Sequence, residues 1–153
     1  MTEFHCEILT PHRLFFTGQA ESVTFVTHDG EIEVLASHEP FVTPVLIGQL
    51  RIRTEGQHKL AAVTAGFARV KAGRIDIFVD AAEWPEEIDR ERAERALARA
   101  NERLATVAVK WQLEASALAA ARARNRLAIS AMVEKPKAAA PEAVGAASPR
   151  NPS

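Results

Sequence analysis

The chain has 153 residues, 47% hydrophobic and 25% charged, with a formal net charge of −1. That length suits one ordinary domain, or a small domain with an appendage. The near-neutral charge argues against nucleic acid as the main partner, because phosphate-tracking proteins concentrate a basic excess. A single cysteine, Cys6, excludes an internal disulfide and fits a reducing compartment. Met1-Thr2-Glu3-Phe4-His5 has neither the basic nor the apolar part of a secretory signal. No apolar run approaches the ~18 residues of a spanning helix. A soluble, cytosolic chain is expected, with any membrane association made through a protein partner.

Short apolar segments cut by turn residues run from Phe4 to Asp80. The stretch Phe4–Leu9 alternates until Thr10-Pro11-His12 breaks it. Val23-Thr24-Phe25-Val26 leads through His28-Asp29-Gly30-Glu31 to Ile32–Leu35. Asp-Gly between alternating runs predicts a hairpin in which both turn positions take positive φ. Leu50–Thr54 alternates cleanly, Glu55-Gly56-Gln57 turns, and Lys59–Val63 resumes. Thr64-Ala65-Gly66-Phe67 reads as a bulge or tight bend in a strand. Val70–Arg74 turns once more before Ile75–Val79. Many short strands at regular spacing predict an antiparallel sandwich or flattened barrel, not a parallel βαβ sheet.

The texture changes at Trp84-Pro85, where Pro85 suits a helix start or the turn just before it. Glu86, Glu87 and Asp89 then place negative charge at the positive end of a helix dipole. Ala, Leu, Arg and Glu dominate from there on, and neither Gly nor Pro occurs between Ile88 and Glu134. Leu97, Ala100, Leu104 and Val107 or Ala108 form one apolar stripe. Leu118, Ala121, Asn125, Ala128 or Ile129, and Met132 form a second. The β-branched segment 106–109 weakens helix, so two helices are expected, over about 88–105 and 110–132, packed antiparallel. Alanine-rich facing stripes bury little area, which makes such a hairpin marginal by itself. Scattered Pro among small and polar residues predicts a disordered tail. The fold class is thus an N-terminal antiparallel β-sandwich (1–84), a C-terminal antiparallel two-helix hairpin (85–133) and a disordered tail (134–153).

Catalytic chemistry is not visible. His5, His12, His28, His38 and His58 lack metal-ligand spacing, and Ser22 and Ser37 lack nucleophile-elbow glycines. The helices do offer one cluster. Asp89 and Arg92 are i, i+3 neighbours, with Arg95 and Arg99 further along, and Arg122 and Arg126 are i, i+4. A hairpin folded about 107–109 brings positions summing to about 216 level, so Asp89 and Arg92 face Arg122 and Arg126. Guanidiniums converging beside one carboxylate make a cradle for a polyanion such as a nucleotide phosphate. The competing reading is a solvated charged face.

Gly30-Glu31, Leu35, His38 and Pro40 resemble the G-E-x-G-V-L-x-x-H-x-P stretch of the epsilon subunit of F-type ATP synthases. Gly48-Gln49-Leu50-Arg51 resembles that family's G-x-L-R segment, and Gly66-Phe67-Ala68-Arg69-Val70 its G-G-F-x-x-V. Asp80-Ala81-Ala82-Glu83 is similar to its strand end before the helices. Glu33, Ala36-Ser37 and Ala65 depart from the pattern. The resemblance implies a non-catalytic central-stalk subunit that needs no cofactor or metal. It would be peripheral, at the cytoplasmic face of a bacterial inner membrane, and would couple proton-driven rotation to ATP synthesis. Its implied partners are the gamma subunit and c-ring and, when the helices extend, the alpha/beta head, whose acidic loops would meet Arg122, Arg124 and Arg126. Ile88-Asp89-Arg90-Glu91-Arg92-Ala93 is similar to the I/L-D-x-x-R-A motif of members that bind a regulatory ATP. Arg99, Arg122 and Arg126 fall at that motif's basic positions. The implied ATP-binding set is therefore Ile88, Asp89, Arg92, Ala93, Arg99, Arg122 and Arg126. The alternative is a stand-alone nucleotide-binding sensor module.

Overall fold

A computed structural model of the chain describes residues 2–106 and 109–147, with side chains through Met132. Ten strands come first: β1 (Phe4–Leu9), β2 (Leu14–Ala20), β3 (Ser22–Thr27), β4 (Gly30–Leu35), β5 (Phe41–Val45), β6 (Gly48–Thr54), β7 (Gln57–Val63), β8 (Gly66–Lys71), β9 (Arg74–Val79) and β10 (Ala82–Glu83). A single 3-10 turn, Pro85–Glu87, leads to α1 (Arg90–Thr106) and α2 (Lys110–Ala147). The tail expected to be disordered, 134–153, lies beyond the residues whose side chains are described. So do Val107 and Ala108, at the helix link.

The strands form two five-stranded sheets, ordered β2-β1-β9-β8-β5 and β10-β7-β6-β3-β4. All pairings are antiparallel except β1 with β9, which run parallel. Inward residues alternate along the strands as period-2 side-chain direction requires. Cys6, Ile8, Ile75 and Ile77 from one sheet meet Val23, Phe25, Leu50 and Ile52 from the other, all fully buried.

Two strands were not expected from the sequence. Against β2 the register shifts between Ile8 and Leu9, so both Phe15 and Phe16 turn toward the core and alternation is lost. In β5, Pro44 masks the strand, and it is tolerated because β5 is an edge strand bonded only to β8.

The β3–β4 hairpin pairs Thr27 with Gly30, so its turn residues are His28-Asp29 and not Asp29-Gly30. Only Gly30 has positive φ there, at 109°. The two-positive-φ turn is instead Glu55-Gly56, with φ of 54° and 73°. The bend expected near Gly66 falls at Ala65, while Gly66 pairs regularly with Val45 and Val79.

Helix α1 begins two residues later than expected. Pro85 opens the 3-10 turn, and Asp89 caps α1 by accepting the Arg92 backbone N–H at 3.1 Å. In the first stripe Ala100 is buried and Leu97 and Leu104 are half-buried, and Ala93 extends it by one turn. The second stripe holds only at Asn125 and Ile129, because α2 has two contact faces roughly half a turn apart. One is the small-residue row Ser116, Ala120 and Ala123, turned toward α1; the other, Asn125 and Ile129, lies on the sandwich. Leu118 and Met132, assigned to the second stripe, are 49% and 48% exposed.

Candidate functional site

The hairpin is folded back on the end of the sandwich where β6, β7 and β10 meet. Ile129 covers Ile88 and Ala62 in a small apolar cluster separate from the main core. Beside it, the Asn125 amide donates to the carbonyls of Gly48 (2.9 Å) and Val63 (3.4 Å), the ends of two paired strands. One residue on, the Arg126 guanidinium clamps the Glu83 carboxylate through Nε (2.7 Å) and Nη2 (3.1 Å). Both side chains are about three-quarters buried, at 26% and 29% exposure. Charge-assisted bidentate pairs of this kind are among the stronger polar contacts.

Next to this clamp is a cleft of about 380 Å³ lined by Arg92, Arg122, Asn125, Arg126 and Glu83 with the strand ends at Val63, Thr64 and Ala81. Its size falls in the range of small-molecule sites. The structure therefore brings Arg92, Arg122 and Arg126 together, from two helices that meet antiparallel about the 107–109 link. Among the described residues, Arg126 has a carboxylate partner, whereas no ion pair engages Arg92 or Arg122. Two unneutralised guanidiniums at the mouth of a cleft create a local positive potential able to hold an anion.

The other four residues of the expected set have different surroundings. Asp89 is occupied as the α1 cap, Ile88 is buried on Ala62, and Ala93 is buried in the helical hairpin. Arg99 is exposed and is not part of the cleft lining. Glu83 was not anticipated as a site residue. Its position as the last strand residue before Trp84-Pro85 is the only signal it carries in the sequence.

The outer face of the β1-containing sheet carries a second charged group. Asp76 is 2% exposed and accepts hydrogen bonds from Arg74 (2.9 Å) and Arg69 (3.3 Å), and Arg74 also reaches Glu7 (3.1 Å). Burial, with the negative charge of Asp76 and Glu7, pushes the Cys6 thiol up to about 12, so this cysteine is unreactive near neutral pH. Beside these charges Phe67 stacks on Phe78 at 5.0 Å between ring centres. Leu14, Val42 and Phe67 are 52%, 66% and 46% exposed. Among the described residues no helix is long and apolar enough to cross a membrane.

The family model for the ATP synthase delta/epsilon chain β-sandwich domain matches residues 3–85. The ATP synthase epsilon chain of Caldicellulosiruptor bescii is 43% identical over 130 residues, covering 85% of this chain and 95% of that one. That of Ruminiclostridium cellulolyticum is 46% identical over 127 residues, covering 83% and 95%. Among solved structures, a chain of the Euglena gracilis mitochondrial ATP synthase superimposes with a TM-score of 0.72 at 24% identity, over 82% of this chain and 79% of that one. A chain from the Tetrahymena thermophila mitochondrial ATP synthase central stalk and c-ring gives 0.63 at 12% identity, over 84% and 97%. At these identities the two structures speak for the fold, while the sequence relatives and the family model carry the assignment: the chain belongs to the epsilon-chain family of F-type ATP synthases.

Proposed function

We propose that the chain is a non-catalytic central-stalk subunit whose sandwich attaches to the rotor and whose helical hairpin, held down by bound ATP, regulates ATP hydrolysis. The observation that carries the regulatory part is the cleft in which Arg92, Arg122 and Arg126 converge between the hairpin and the sandwich. A polyphosphate held between Arg92, Arg122 and Arg126 of the hairpin and the strand ends at Val63, Thr64 and Ala81 would favour the folded-back hairpin by mass action, because this cleft opens when the hairpin lifts off the sandwich. The attachment part rests on the exposed apolar residues of the outer sheet face, which suit a protein partner better than water. On this reading the gamma subunit and c-ring take up the sandwich. An extended hairpin would present Arg122, Arg124 and Arg126 to acidic loops of the alpha/beta head. The subunit is then peripheral, at the cytoplasmic face of a bacterial membrane, and transmits proton-driven rotation.

Calorimetric titration of the isolated chain with ATP tests the site. Saturable binding without magnesium is expected, and Arg92→Ala should weaken it at least about tenfold, roughly 1.4 kcal/mol. No heat at millimolar ATP would remove the site. For the brake, truncation after Glu87 should leave assembly intact and raise ATP hydrolysis by the complex; unchanged hydrolysis would reject it.

A further inference from the structure

From the sequence, Pro85 reads as a helix start or the turn just before it, and the hairpin as beginning there. The contacts divide the segment differently. The Trp84 ring stacks on Phe15 at 4.2 Å between ring centres and 22° between planes, and meets Phe16 edge-on at 6.4 Å. The Lys59 ammonium lies 5.9 Å from the Trp84 ring centre, and Trp84 packs against the main core. Glu87 then ties the far end of the turn back to the sandwich. Its carboxylate accepts two hydrogen bonds from Arg13, at 2.7 and 2.9 Å, and its Oε1 also accepts the Trp84 backbone N–H at 2.9 Å. Arg13 additionally donates to the Ala82 carbonyl at 3.2 Å. The Arg13 guanidinium holds the Glu87 carboxyl below its ordinary range. The turn is closed internally by Glu87 N–H to the Trp84 carbonyl (3.0 Å) and Ile88 N–H to the Pro85 carbonyl (3.2 Å).

On the other side, hydrogen bonding starts afresh at Asp89, whose carbonyl accepts from Ala93 N–H (3.0 Å) and whose side chain caps Arg92. Between the two lies Ile88, extended at φ −79°, ψ 123°. The hairpin itself rests on the sandwich chiefly through α2, by Asn125, Arg126 and Ile129.

We propose that residues 84–87 form a strap belonging to the sandwich, and that the hairpin swings about a single joint at Ile88-Asp89. This deepens the regulatory reading above and rests on it. When α2 lifts, the strap stays fastened by Arg13 and by the aromatic stack, and rotation about Ile88 ψ and Asp89 φ carries α1 and α2 away. A joint of one residue restricts the swing far more than a free linker of five would. The boundary between fixed and moving parts therefore falls between Ile88 and Asp89, not at Trp84-Pro85.

The test uses the full chain with Trp111→Phe, which leaves Trp84 as the only tryptophan. Asn125→Ala with Ile129→Asp removes contacts of α2 on the sandwich and leaves the Arg13–Glu87 pair and the Trp84–Phe15 stack of the strap in place. Spin labels on Lys71→Cys and Ala117→Cys, both exposed positions, report whether the hairpin has left; Cys6 does not compete for label because it is buried. The expected result is a lengthened, broadened label distance with an unchanged Trp84 emission maximum and acrylamide quenching. Adding Arg13→Ala should then shift Trp84 to the red and raise its quenching several-fold. A lengthened distance accompanied by a red shift while Arg13 is intact would overturn the strap alone. An unchanged distance would overturn both the strap and the mobile hairpin.

Discussion

Gly66→Ala is expected to destabilise the sandwich by about 3 kcal/mol or more, at the upper end of what overpacking costs. A Cβ at this position would collide with the Phe78 carbonyl oxygen and would sit 2.7 Å from Val79 Cα and 2.8 Å from the Phe78 carbonyl carbon. All three are backbone atoms of β9, the strand to which β8 is hydrogen-bonded on one side, while β5 pairs on the other. No rotamer change relieves such a clash; a strand must move in a sheet that supplies half the core. For a domain of this size the shift in Tm is roughly 10–25 °C. Gly56→Ala is the control. Gly56 has positive φ but nothing within 4 Å of an added Cβ. Its replacement therefore costs only backbone strain, about 1–2 kcal/mol. Thermal unfolding followed by circular dichroism distinguishes them, and equal losses at the two sites would refute the close-approach argument.

Arg126→Ala should weaken ATP binding at least about tenfold, or 1.4 kcal/mol, and more than Arg122→Ala does. Arg122 contributes charge to the cleft, whereas Arg126 lines the cleft and also anchors α2 to the sandwich through Glu83. Removing it leaves the Glu83 carboxylate, 29% exposed, without its partner. The folded-back hairpin then becomes less favourable even without nucleotide. Arg126→Lys separates the contributions. It keeps the positive charge but loses the two-pronged geometry, so its affinity should fall between wild type and Arg126→Ala. Calorimetry with all three variants reads the order. If Arg126→Ala binds as tightly as wild type, the cleft is not where the phosphates sit.

Most strands were legible because a sandwich imposes a local rule, inward and outward side chains in alternation, that survives in the sequence as Leu50–Thr54 or Ile75–Val79. The two that were missed break that rule for reasons visible only across the sheet. Phe15 and Phe16 share a register shift in β2, and Pro44 is harmless only because β5 has one neighbour. The turn at His28-Asp29 was misplaced by one residue, since Asp-Gly serves equally as a turn centre or as its exit.

The site was half legible. Antiparallel geometry about the 107–109 link brought Arg92 level with Arg122 and Arg126, and the structure places all three around one cleft. Asp89 was the natural carboxylate partner by spacing, yet it caps α1, and Glu83 from the sandwich takes Arg126 instead. Asn125 was read as part of an apolar stripe and proves to join two strand ends to a helix.

The sequence by itself determined the division of the chain, β before Trp84-Pro85 and α after it, because period, propensity and turn chemistry are all local properties. It also determined the convergence of basic residues along the hairpin, because helical spacing and antiparallel pairing are nearly fixed by length. What only the tertiary structure decided is how the two parts are joined. The Glu83 clamp on Arg126 links residues 43 positions apart, and the hold of Arg13 on Glu87 links residues 74 apart. The parallel pairing of β1 with β9 likewise joins the two ends of the sandwich sequence. No local pattern encodes contacts between groups so far apart in the chain. They exist only once packing has set the sandwich and the hairpin against each other.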